Sequence, residues 1–179
     1  MSEIVFTTQR LIVRRWCDAD LTALLAVYGD AAAMEWVDDG KPITLEEALE
    51  WLNVTRRNYE QRGYGMFAVA MRSAPEVIGF GGIVHSDGQA EAEIKYAYLR
   101  PYWGQGIATE VAKGLIQYGA KSHGIGYMIA TTAPENTASH RVLLKAGMRR
   151  GELRDDGDGG QTQLFYWHID MDEAAMMGA

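Results

Sequence analysis

The sequence predicts an α/β (α+β) fold: a mixed central sheet of about seven strands flanked by about four helices, in the order βααβββαβαββ. Three observations predict it. Short runs rich in β-branched and aromatic residues alternate with stretches whose apolar residues recur at helical spacing. Residues 66–99 hold three of the strand-like runs, joined by short polar turns in the manner of an antiparallel meander. A helical stretch then separates the strand at 92–99 from the one at 127–132, and strands joined through a crossover helix lie parallel. The chain has 179 residues, 47% of them hydrophobic, which is enough for one domain with a real core over about residues 7–169. No linker, low-complexity run or internal repeat divides it.

In order, residues 9–16 read as the first strand, with Leu11 and Val13 on one face and Ile12 and Arg14 on the other. Asp18 is an N-cap signal, and residues 20–28 carry a helical stripe of Leu21, Leu24, Leu25 and Tyr28. Residues 30–43 are less regular. Thr44 with Glu47 is a capping box. Its helix runs to about residue 61 with Leu45, Ala48, Leu49, Leu52 and Tyr59 on one side, and Gly63 is placed to end it. Residues 66–71 form a strand, 73–76 a turn and 77–85 a strand. In that last strand Gly79, Gly81 and Gly82 point to close backbone approach or a bulge. Residues 86–89 turn the chain into the strand at 92–99, which Arg100-Pro101 stops, because proline cannot donate to a ladder. From Ile107 the apolar positions Val111, Leu115 and Tyr118 follow at helical spacing, and residues 121–126 are a loop with a glycine stop. Residues 127–132 are a strand, and 135–140 open a helix that ends at Lys145-Ala146-Gly147. Residues 148–154 and 162–169 make the last hairpin, and the tail from Asp170, with Met176 and Met177, reads as frayed. The Asp155-to-Asp158 turn lacks the glutamate that closes a calcium loop and reads as a solvated turn.

Composition excludes several classes. The single cysteine, Cys17, cannot form an internal disulfide and has no histidine near it in sequence to activate it as a nucleophile. His85, His123, His140 and His168 share no ligand spacing, so no metal site is expected. There is no basic-then-apolar leader pattern and no apolar run of about 18 residues, so the expectation is a cytoplasmic protein without a membrane anchor. A net charge of −7 argues against nucleic acid as partner.

The strongest chemical signal lies at residues 90–119. The strand ends, Gly104-Gln105-Gly106 follows, and a helix begins at Ile107. A helix start leaves about four N–H groups without intrahelical partners and carries roughly half a positive charge. Glycines let the backbone fold closely over a ligand, so the segment is an anion site of the phosphate-binding kind, with no lysine in it. A Walker A loop would need Gly-Lys-Ser/Thr, whereas Ile107-Ala108-Thr109 stands after Gly106. A dinucleotide fingerprint would need a third glycine or alanine where Thr109 stands, directly after the first strand, so a nucleotide-binding oxidoreductase has only the Gly-x-Gly in its favour. The run Ile94-Lys95-Tyr96 … Arg100-Pro101-Tyr102-Trp103-Gly104-Gln105-Gly106-Ile107-Ala108-Thr109-Glu110 resembles the acetyl-CoA loop of the GNAT superfamily of N-acetyltransferases. It is most similar to the branch with the RimJ and RimL ribosomal-protein N-terminal acetyltransferases. The opening Thr8-x-Arg10-Leu11, followed by a helix, is similar too, and the resemblance covers roughly residues 7–169.

The resemblance implies a transfer of acetyl from acetyl-CoA to a primary amine, by direct attack in a ternary complex without a metal. Gly104, Gln105, Gly106, Ile107, Ala108 and Thr109 would cradle the pyrophosphate, with Arg100 adding charge. Tyr96, Ala97, Tyr98 and Leu99 would meet the pantetheine arm mainly through their backbone. Relatives often carry glutamine or arginine where Pro101 stands, which removes a side-chain phosphate contact but not the backbone cradle. Glu93 is the implied general base; a solvated or salt-bridged strand glutamate is the alternative, and Glu91, two residues away, would face the same side. Asn136 would hold the pantetheine arm and Ser139 would serve the CoA sulfur, though both are also good first-turn capping residues. Many relatives place a tyrosine proton donor seven residues after that asparagine; here the position is Leu143, which shifts the role to Ser139 or to a water. Trp36 lies where the family selects its acceptor, or else covers the core. The acceptor expected is a protein N-terminal amine or a small amine or antibiotic, and the enzyme a monomer or homodimer. The alternative from another class is a non-catalytic acyl-CoA-binding module on the same fold.

Overall fold

The computed structural model describes residues 3–37, 40–157 and 159–171. The expected frayed tail with Met176 and Met177, and Asp158 of the terminal turn, lie outside them. One eight-stranded sheet organises the molecule. Its strands are β1 (Ile4–Thr7), β2 (Leu11–Arg14), β3 (Met66–Met71), β4 (Ala74–Val84), β5 (Ala92–Tyr98), β6 (Tyr127–Thr132), β7 (Arg149–Asp155) and β8 (Gln161–His168). They lie in the order β1-β2-β3-β4-β5-β6-β8-β7. All neighbours are antiparallel except β5 and β6, which the crossover helix joins in parallel. The helices are α1 (Leu21–Tyr28), α2 (Ala31–Met34), α3 (Leu45–Arg62), α4 (Ile107–His123) and α5 (Thr137–Lys145).

The two faces of the sheet carry separate cores. Leu11, Val13, Phe67, Val69, Ile94 and Tyr98 pack against Ile107, Val111 and Leu115 of α4 on one face. Trp16, Ala68, Phe80 and Ala97 pack against Leu24, Tyr28, Met34 and Leu52 of α1–α3 on the other. The alternation along β5 puts Ile94, Tyr96 and Tyr98 with the first core and Ala97 with the second, as the pleat requires.

The elements match the expected order with local corrections. An eighth strand, β1, precedes the expected first one and pairs antiparallel with β2; at four residues on the sheet edge it is too short to leave a periodic signal. Asp18 is not the cap of α1. A 3₁₀ turn (Asp18–Asp20) intervenes, and Asp20 turns back to receive Arg14 through two bonds of 2.6 and 2.8 Å and the Cys17 N–H at 3.0 Å. The capping box of α3 forms: Thr44 N–H donates to Glu47 at 2.6 Å, Glu47 N–H donates to Thr44 Oγ1 at 3.3 Å, and Gly63 ends the helix at φ 81°. Its buried stripe is Ala48, Leu52, Thr55 and Tyr59, however, while Leu45 and Leu49 stand 55% and 46% exposed. The expected turn at 73–76 belongs mostly to β4, which begins at Ala74. Helix α4 runs through the expected loop to His123, where Gly124 at φ 64° donates to Ala120 and Ile125 to Gly119.

The glycine-rich strand is explained by its neighbours. A Cβ on Gly79 would lie 2.4 Å from the Ala97 carbonyl oxygen, and one on Gly82 would lie 2.3 Å from that of Gly65. The register between β3 and β4 also shifts beside Val69 and Ala70, the bulge that the glycines signal. One hydroxyl in this region is left alone: Tyr98 Oη is buried between Gly81 and α4 with no hydrogen-bond partner among the described residues. Burying an unbonded hydroxyl costs about 1–3 kcal/mol. Tyr98→Phe keeps the ring and removes that cost. The expected result is about 1 kcal/mol of added stability in urea denaturation, with the slope unchanged.

Candidate active site

Strands β5 and β6 stay paired only at Ala92 with Met128 and Glu93 with Ile129. Beyond these pairs they part, and a cleft of about 800 Å³ opens between them. Ile94 to Tyr98 line one wall and Ala130 to Ala133 the other. The backbone of β5 on that side therefore has no ladder partner, a strand edge ready for an extended ligand.

The glycine turn lies at one end of the cleft. Gly104 and Gly106 have φ of 70° and 78°, values that favour glycine. The first intrahelical bond of α4 runs from the Glu110 N–H to the Gly106 carbonyl at 3.0 Å, so the N–H groups of residues 106–109 have no partner within the helix. Gly104, Gly106, Ile107, Ala108 and Thr109 line the cleft there, whereas Arg100, Leu99 and the exposed Gln105 do not. Arg141 and Lys145 add cations to the wall formed by α5.

A brace that sequence reasoning missed holds this turn. Arg10 donates through Nη1 to the Gln105 carbonyl at 3.0 Å and through Nε to Glu110 at 2.7 Å; Thr8 Oγ1 and the Arg10 N–H also donate to Glu110. The Thr8-x-Arg10 segment thus fastens to the first turn of α4 across the sheet. The signal was present in the opening pattern and in Glu110, but nothing in one sequence couples positions about a hundred residues apart.

The first turn of α5 brings further polar groups to the cleft. Asn136 caps the helix, its Oδ1 accepting the Ser139 N–H at 3.1 Å, and it also lines the cleft, so capping and access to a ligand coincide. Ser139 Oγ lies 2.7 Å from Tyr96 Oη. Burial pushes the Tyr96 phenol up to about 12, against a smaller lowering by the Ser139 hydrogen bond. Leu143 is fully buried and lines the same wall. Behind that wall, His140 Nε2 meets Thr132 Oγ1 at 2.9 Å and the Ala133 carbonyl at 3.2 Å, and burial lowers its pKa.

Glu93 and Glu91 are not brought to this constellation. Glu93 is only 2% exposed and does not line the cleft; it receives Ser86 Oγ and Gln89 Nε2, each at 3.0 Å, and Thr131 Oγ1. Glu91 is exposed just before β5 and lines a separate concavity of about 370 Å³ with Tyr64, His85 and Tyr127. The two glutamates differ because β5 begins only at Ala92, so strand alternation does not extend to Glu91. Trp36 does line the cleft, on its α1–α3 side, with Tyr28, expected only as part of a helical stripe, and with Trp51 and Phe80, which sequence reasoning did not single out. Tyr28 and Phe80 stack at 4.4 Å and Trp51 meets Tyr28 edge-on at 5.3 Å, an aromatic wall assembled from three elements.

Residues 10–149 match the family model described as "Acetyltransferase (GNAT) domain". The chain belongs to the GNAT family. It is 31% identical over 144 residues to "Uncharacterized N-acetyltransferase YnaD" of Bacillus subtilis (strain 168), covering 80% of this chain and 82% of that protein. Among solved structures, a GNAT-family acetyltransferase from Bacillus anthracis matches with a TM-score of 0.77 at 24% identity, covering 92% of this chain and 98% of that one. RimL, a ribosomal L7/L12 alpha-N-protein acetyltransferase solved with coenzyme A, matches with a TM-score of 0.80 at 20% identity, covering 95% of this chain and all of that one. This GNAT protein is accordingly an acetyl-CoA-dependent acetyltransferase, and the fold class expected from the sequence is the one found. None of its described helices is long and apolar enough to cross a membrane, and no cluster of metal-ligating side chains occurs among the described residues.

The brace makes a stability prediction with a definite sign. Partial burial raises the Glu110 carboxyl, but the Thr8 hydroxyl, the Arg10 N–H and the Arg10 guanidinium more than offset that and hold it below its ordinary value. A carboxyl depressed in the folded state contributes stability that is complete above about pH 5 and is lost as the pH falls through the folded value. Glu110→Gln is therefore expected to destabilise the protein at pH 7 and to shrink that deficit at pH 3, measured by urea denaturation at both. The same variant is expected to weaken acetyl-CoA binding in calorimetry, because the turn loses its anchor.

Proposed function

We propose that the protein transfers acetyl from acetyl-CoA directly to a primary amine within a ternary complex, and that the amine is a protein N-terminus of the kind RimL acetylates. The parting of β5 from β6, with unpaired helix-start N–H groups and the Tyr96–Ser139 pair both lining the cleft it opens, is the observation that carries it. The backbone N–H groups of Gly106 to Thr109 would hold the pyrophosphate. The free edge of β5 would pair with the pantetheine arm, and the Asn136 amide nitrogen, which capping leaves over, would donate to it. When bound, acetyl-CoA supplies the acetyl group as a thioester.

Only a neutral amine is a nucleophile. An α-amine of pKa about 8 is neutral in roughly a tenth of molecules at pH 7, a lysine amine in fewer than about one in 1,000. An N-terminal acceptor therefore asks less of a base. That suits a cleft whose lining among the described residues includes no carboxylate, with the amine's proton passing to water. Glu93, held by three donors, then serves as an anchor of β6 and not as the base. Ser139 Oγ–H is the donor to the sulfur as the C–S bond breaks. The aromatic wall of Tyr28, Trp36 and Trp51 receives the acceptor, which favours an amine carrying apolar bulk. A small aromatic or aliphatic amine is the second reading, and the same wall supports it.

The test is CoA thiol release from acetyl-CoA with N-terminal peptides, lysine ε-amine peptides, polyamines and small aromatic amines. Release is expected with N-terminal peptides, greatest for those with apolar first residues. Release with polyamines alone would overturn the acceptor assignment. Glu93→Gln is expected to cost about 1–3 kcal/mol of stability, because an amide cannot accept from all three donors. Turnover per folded molecule is expected to stay within about threefold of wild type; a hundredfold loss at intact folding would return Glu93 to the role of base.

A further inference from the structure

The hydroxyl of Tyr96 makes a contact that a purely backbone role for this strand would not need. It lies 2.7 Å from Ser139 Oγ inside the cleft, its one hydrogen bond among the described residues. Ser139 is held by its own N–H to Asn136 at 3.1 Å, so the pair meets at a fixed place on the first turn of α5. The strand supplies the other half. Tyr96 projects toward the α4 side of β5 with Ile94 and Tyr98, and its ring lies 6.3 Å from that of Tyr98.

We propose that Tyr96 is a positioning residue for the thiolate-leaving step: its hydroxyl donates to Ser139 Oγ and thereby directs the serine's single proton at the departing sulfur. The proposal rests on the acetyl-transfer reading above, with Ser139 as the donor to sulfur. Each hydroxyl has one proton, so only one direction of the pair is useful. If Ser139 donated to Tyr96, it would present a lone pair to the sulfur and repel the charge that forms there. A phenol is the more acidic of the two and so the better donor. Burial also keeps it protonated across the whole working pH range, its pKa lying at about 12. A chain of two donors polarises in one direction and strengthens the terminal bond, here the one from Ser139 to sulfur. Leu143, one turn further along α5, is apolar and fully buried, so no hydroxyl at that position competes for the sulfur.

The step balances without deprotonating either group. The amine nitrogen bonds to the acetyl carbon, the C–S bond breaks, and its electron pair goes to sulfur. The Ser139 hydrogen bond takes up the developing charge, and the amine's proton leaves to water. A thiol has a pKa of about 8.5, so full proton transfer from a phenol at about 12 would run uphill. The pair therefore stabilises by donation, and the sulfur takes its final proton from solvent.

The experiment measures kcat and KM for acetyl-CoA by thiol release for wild type, Tyr96→Phe, Ser139→Ala and the double variant, with the best acceptor of the panel. Phenylalanine keeps the ring and its packing, and heat stabilisation by CoA checks that the cofactor site survives. The expected result is a kcat lowered about tenfold or more in Tyr96→Phe, with KM for acetyl-CoA within about twofold. The double variant should be no slower than Ser139→Ala, since Tyr96 acts only through the serine. A Tyr96→Phe kcat equal to wild type, losses that multiply in the double variant, or a change in KM alone would each overturn the proposal. If wild type releases no thiol with any amine, the acetyl-transfer reading itself fails, and the proposal with it; if Ser139→Ala alone loses turnover, the reading stands and only the role of Tyr96 falls.

Discussion

The parallel pairing of β5 with β6 lasts for two residue pairs, and the site depends on where it stops. A longer ladder would satisfy the backbone of Ile94 to Tyr98 and fill the cleft with protein. A shorter one would leave the two halves of the sheet unconnected, since β6, β8 and β7 join the rest only through this pair. The crossover helix α4 imposes the geometry, because it must start at the glycine turn, cross the sheet and return the chain parallel to β5. Its own start then supplies the unpaired N–H groups at the mouth of the gap that it creates.

Buried polar groups hold the diverging end of β6 on both faces. Thr131 and Thr132 are its last residues and point to opposite sides. Thr131 donates to Glu93 on β5, and Thr132 meets His140 on α5, which Arg150 of β7 approaches at 3.3 Å. These are strand-to-strand and strand-to-helix contacts made with side chains at the place where backbone pairing ends. The low dielectric that makes an unmet buried group costly makes a fully met one a strong positional constraint. Glu93 is held there, 2% exposed, by Ser86, Gln89 and Thr131. The Arg10–Glu110 pair does the corresponding work for the glycine turn.

Apart from β1 and α2, the order of elements was legible because each carries a local signal. The Thr44–Glu47 box, Gly63 and the Arg100-Pro101 stop act within a few residues of themselves. So does the glycine turn, whose φ values follow from the residues in it. Errors arose where a partner outside the element decides. Leu45 and Leu49 have helical spacing, but α3 presents Ala48, Leu52 and Thr55 to the sheet. Asp18 has the chemistry of a cap, but Arg14 draws the neighbouring Asp20 into that place. The edge strand β1 exists because β2 offers it a ladder, not because four residues specify it.

The sequence by itself determined the order of strands and helices apart from β1 and the short α2, the glycine turn at Gly104 to Gly106, and the chemical repertoire of the cleft, including Asn136, Ser139 and the absence of a tyrosine at Leu143. Those depend on periodicity, capping and residue type, which act over a few residues. Only the tertiary structure decided that Tyr96 meets Ser139, that Glu93 faces three donors instead of the cleft, and that Tyr28, Trp36, Trp51 and Phe80 form one wall. Each of those outcomes joins residues from different elements. Their meeting is set by the pleat of β5 and the packing of helices on the two faces of the sheet, and no short-range pattern encodes it.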